Sequence, residues 1–90
     1  MSIDIAALLA EAQKLQRQDK RISVSVEVFF HDDFVSFAFS VAEKGNHDEQ
    51  YRARNRESRM AWELESLKTT ADLIIQLRSM FETVKARIEK

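Results

Sequence analysis

The chain has 90 residues, with 14 basic and 15 acidic side chains, a formal net charge of −1, one glycine, no proline and no cysteine. The absence of cysteine excludes a disulfide framework and a thiolate metal site. Near-neutral charge argues against a chain built mainly to hold nucleic acid, and the shortage of glycine and proline predicts order over a single domain, residues 1–90. The N-terminus lacks the basic start and solid apolar run of a signal peptide. No window approaches the roughly 20 apolar residues of a membrane span, so a soluble, cytoplasmic protein is expected.

Residues 3–18 carry Ile5, Leu8, Leu9, Ala12 and Leu15 on one stripe at helical spacing, which predicts an amphipathic helix capped by Ser2 or Asp4. The period then changes to two. Ile22, Val24, Val26, Val28 and Phe30 alternate with Arg21, Ser23, Ser25, Glu27 and Phe29, the pattern of a strand over 21–30 with one buried face. His31-Asp32-Asp33 suits a tight turn. Alternation resumes with Val35, Phe37, Phe39 and Val41 in a second strand over 34–42, so the two strands form an antiparallel hairpin. A polar connection follows, and Tyr51 to Arg56 is a candidate short third strand, because a lone hairpin is only marginally stable.

From Ser58 to Glu89 neither glycine nor proline occurs, and the spacing predicts one helix over 58–89 capped by Asn55 or Ser58. About 32 residues make a rod of roughly 48 Å, whereas the strands reach only about 30 Å. The rod is apolar on two sides. Met60, Leu64, Leu67, Ala71, Ile74 and Ile75 lie on one, and Trp62, Leu73, Leu77, Met80 and Val84 on another, joined through Phe81 and Ile88. An arc wide enough for two contacts, overhanging its own sheet, predicts self-association. The expected oligomer interface is Leu73, Leu77, Met80, Phe81, Val84 and Ile88, and a homodimer is the simplest closed form.

Catalytic chemistry is thin. His31 with Asp32 and Asp33, and His47 with Asp48 and Glu49, have metal-ligand types, but solvated turns explain both more simply. No serine stands in a nucleophile context, and one glycine cannot build a phosphate loop. The expectation is therefore no enzyme, no catalytic residue, no metal, no cofactor and no small-molecule substrate. Two surface features remain. Arg52, Arg54, Arg56 and Arg59 form a cluster beside Tyr51, suited to phosphates with a stacked base, or to an acidic protein surface. Phe29 and Phe34 beside the turn are a candidate exposed aromatic patch.

The order α-β-β-(β)-α resembles that of double-stranded-RNA-binding domains. Those domains have a basic Lys-Lys-x-Ala-Lys start to the final helix, which Asn55-Arg56-Glu57-Ser58-Arg59-Met60-Ala61 lacks, so the likeness is one of element order and transfers no function. The fold class expected is α+β. The function expected is a small protein-interaction module, such as an adaptor, regulator or stoichiometric inhibitor, that self-associates through its last helix. The alternative is a dimeric nucleic-acid-binding protein using the arginine cluster.

Overall fold

The structure, a computed structural model, describes residues 3–33, 35–44, 56–59 and 69–89. It is an α+β fold in which α1 (Ile5–Gln18), β1 (Ile22–Phe30), β2 (Val35–Glu43), β3 (Arg56–Arg59) and α2 (Thr70–Ile88) follow in chain order. The three strands form one antiparallel sheet in the order β1-β2-β3. The hairpin register pairs Ile22 with Glu43, Val26 with Phe39 and Phe30 with Val35. Strand β3 pairs Arg59 with Phe39 and Arg56 with Ala42.

Helix α1 begins where Asp4 accepts a hydrogen bond from the Ala7 amide at 3.0 Å, satisfying one of the orphan donors of a first turn. The Asp4 amide in turn donates to Thr70 Oγ1 at 2.9 Å, which ties the start of α1 to the start of α2. Of the apolar stripe read in the sequence, Leu8 and Leu15 are buried, while Leu9 is 43% exposed. Glu11 takes the inner position instead, because Arg78 of α2 reaches it at 2.8 Å.

The last helix differs from the one expected. Ser58 and Arg59 lie in β3, and α2 starts only at Thr70. The cause is local. Thr69 is extended, at φ −135° and ψ 161°, and its hydroxyl accepts from the Asp72 amide while Asp72 accepts from the Thr69 amide. This reciprocal capping box fixes an N-terminus. The Asn55 and Ser58 caps expected from the sequence are not the start of this helix. Its 19 residues span about 28 Å, close to the roughly 30 Å of a nine-residue strand. The overhang that motivated an intermolecular contact is therefore absent from α2. The strand expected over 51–56 overlaps the described residues at Arg56 alone, which begins β3.

Both helices pack against the sheet and against each other, and α2 meets all three strands. The core holds Leu8, Leu15, Ile22, Phe37, Phe39, Val41, Leu73, Leu77, Met80, Phe81 and Val84. Two polar ties close the layer. One is the Glu11–Arg78 pair, in which hydrogen bonding to Arg78 holds the Glu11 carboxyl below its usual range. In the other, Arg21 donates to both Asp19 oxygens, at 3.0 and 2.6 Å, and to Glu89 at 3.0 Å. Hydrogen bonds from Arg21 lower Asp19 to about 2.

Candidate functional site

The residues assigned to an oligomer interface are brought together, but inside the chain. Leu73, Leu77, Met80, Phe81 and Val84 are all buried in the core, and Ile88 packs partly buried against it. Those five are not open to a partner unless the fold opens, whereas Ile88 keeps part of its surface exposed. The wide apolar arc of α2 serves two contacts, as its spacing predicts, and both are intramolecular. One is with the sheet and the other with α1.

Of the arginine cluster, Tyr51, Arg52 and Arg54 lie outside the described residues. Arg56 and Arg59 belong to β3. Phe34 also lies outside the described residues, as do His47, Asp48 and Glu49. Phe29 is 41% exposed.

His31 and Ser36 make a contact the sequence reading missed. His31 Nε2 lies 2.9 Å from Ser36 Oγ. A histidine on a serine hydroxyl has the atoms of an activated nucleophile, but Ser36 is only 2% exposed, too deeply buried to meet a substrate. The contact satisfies a buried hydroxyl beside the hairpin turn, which would otherwise carry a desolvation penalty. Among the described residues, no group of three or more His, Cys, Asp or Glu side chains is placed to hold a metal. Nor is any helix among them long and apolar enough to cross a membrane.

The surface that stands out is the outer edge of β1. The Lys44 amide donates to the Arg21 carbonyl at 2.7 Å. That bond fixes the parity of the ladder: odd-numbered residues of β1 bond to β2, and even-numbered residues direct their N–H and C=O groups outward. Gln16 of α1 confirms the parity. Its side-chain amide donates to the Ile22 carbonyl at 2.7 Å and accepts from the Val24 amide at 2.9 Å. One glutamine thus occupies the edge at 22–24 as a neighbouring strand would. Beyond it, the outward backbone groups of Val26, Val28 and Phe30 find no partner among the described residues.

Apolar exposure concentrates at the same end. At the turn end of the strand Phe30 is 75% exposed and its pair Val35 40%. Phe29 is exposed on the opposite face of the strand. Alternation alone would have buried Phe30 with Ile22, and the structure corrects that reading. Between α1 and the Gln16 end of this edge runs an open groove of ≈ 480 Å³ lined by Leu9, Ala12, Gln13, Gln16, Arg17, Val24, Ser25 and Val26. Comparison with family models, with curated proteins and with solved structures finds no match to this chain.

Proposed function

We propose that this chain is a non-catalytic protein-interaction module that engages its partner along the free edge of β1. One observation carries the reading: among the described residues, the outward backbone groups of this nine-residue strand have no partner from Val26 to Phe30, beside a ring that is three-quarters exposed. Exposed edges of this kind are templates for an added strand. Main-chain hydrogen bonds supply affinity, and pockets for alternate side chains supply specificity. Self-association through the last helix is not carried forward, because its residues form the core. Nucleic-acid binding at the arginine cluster gains no supporting observation from the described part of β3.

The test places a photo-reactive phenylalanine analogue at Phe30 of the full chain in its native cells, with the same group at Ala86, exposed on α2, as a control. A protein adduct at position 30 and not at 86 is expected. No adduct at 30, or the same adducts at both positions, would overturn the reading.

A further inference from the structure

We infer that the occupant of the β1 edge is a second copy of this chain, joined antiparallel about a two-fold axis at Val28. This rests on the reading of the edge as a contact surface and goes further by naming the partner and the register.

The chain carries both halves of a joint. The knob is Phe30, 75% exposed at the turn end of the strand. The hole is the groove beside Leu9 and Val26 at the other end. Antiparallel pairing of the same edge brings the two ends together twice, once on each side of the axis.

The register follows from three constraints. Gln16 already occupies the outward groups of Ile22 and Val24 that a neighbour would need, so the free ladder is Val26, Val28 and Phe30. Centring the axis on Val28 uses those residues and no others. Val28 then faces its own copy and Val26 faces Phe30, each pair exchanging both main-chain bonds. Centring on Glu27 instead would set two carboxylates directly opposite each other, which is destabilising. The Val28 register sets Glu27 across from Phe29. The same register seats the partner's Phe30 across Val26, a favourable aromatic–β-branched pair, at the mouth of the groove where Leu9 is half exposed.

Charge agrees with this placement. Continuing the register past Phe30 carries the acidic turn, Asp32 and Asp33, toward Val24 and Ser23 of the other copy. Arg17 stands there in the groove lining. The axis is normal to the sheet, so both helix layers stay on one face, with the two α1 helices at opposite ends of the seam.

Sedimentation of the full chain across a concentration series is expected to give a mass that rises to twice 10.5 kDa. Val28→Pro removes the N–H on the axis while leaving the β1–β2 ladder intact, and it is expected to weaken the dimer by at least about tenfold in Kd. Phe30→Asp, at a position outside the core, gives the same readout should the proline variant fail to fold. Register is read from single cysteines in this cysteine-free chain. Val28→Cys is expected to form a disulfide-linked dimer under mild oxidation, because facing residues of a hydrogen-bonded pair lie within disulfide reach. Glu27→Cys is expected not to. A mass that stays monomeric at all concentrations would overturn the second copy as partner. A dimer indifferent to both Val28→Pro and Phe30→Asp would overturn the β1 edge as its seam, and crosslinking at 27 in preference to 28 would overturn the Val28 register. A monomer that still gives a Phe30 photo-adduct with a different protein removes this inference and leaves the interaction module standing.

Discussion

Strands β1 and β2 are alike in sequence and unlike in the fold. Each has nine residues and the same alternation of apolar and polar side chains. In β2 the apolar positions 37, 39 and 41 are buried to 5% exposure or less, whereas in β1 Ile22 alone is buried and burial is progressively lost toward Phe30. The difference comes from position. β2 has strands on both sides and α2 across it, while β1, among the described residues, has a strand on one side only, and its inner-face Val24, Val26 and Val28 are only partly buried against the core. Period-two alternation encodes which face a side chain takes, but not how much cover that face receives. The turn end of β1 is consequently, among the described residues, a surface with backbone and side-chain capacity to spare.

The largest expected effect sharpens this contrast directly. Phe39→Ala, at 1% exposure, should destabilise the fold by about 3–5 kcal/mol in chemical denaturation. Phe30→Ala in the neighbouring strand should change monomer stability by about 0.5 kcal/mol or less. Equal losses at the two positions would show that the edge is covered after all. Next in size is the end of α2. Thr69→Ala removes the capping box and should lower stability by about 1 kcal/mol, whereas alanine at the exposed Ser58 of β3 should have a smaller effect.

A comparable loss is expected at the edge cap. Gln16→Ala strips the two hydrogen bonds from Ile22 and Val24 and should reduce stability by about 1 kcal/mol. It should also lengthen the free edge, so that the register of any added strand is less sharply fixed. The Val28→Cys and Glu27→Cys contrast in crosslinking should then narrow.

The smallest effect is an acid one. Asp19 is lowered to about 2 by Arg21, below its ordinary 3.8, so its contribution is present above the ordinary value and is lost as the pH falls from about 4 towards 2. Asp19→Asn should flatten the stability profile in that window and leave its shape above pH 5 unchanged. A slope that survives the substitution would assign the acid sensitivity elsewhere, with Glu11 the next group to examine because it is held low by Arg78.

The same contrast explains what could be read from sequence. Helix α1 and the hairpin were legible because their periodicities are clean and change abruptly at Arg21. The extent of α2 was not, because Met60, Leu64 and Leu67 continue the helical spacing of Ile74 and Leu77 across the true start. The signal that marks the start, Thr69-Thr70-Ala71-Asp72, is a four-residue capping motif that periodicity does not register. Overextending the helix created an overhang, and the overhang made core residues such as Phe81 look like an interface. The β1 edge was hidden for a different reason. Strand order in the sheet decides which backbone groups go unpaired, and strand order is a tertiary fact. Gln16 marks the edge only once its amide is seen against the Ile22 and Val24 backbone.

Amide hydrogen exchange as a function of protein concentration is the most direct measurement of the central claim, that the open surface of this fold is the outer edge of β1. At low concentration Val26, Val28 and Phe30 should exchange quickly while Ser25 and Glu27, bonded to β2, remain protected. As concentration rises the three outward amides should gain protection together. If they stay fast at every concentration while protection grows around the exposed Ile75 of α2, the contact surface lies on the helix and the β1 edge is not where this chain meets its partner.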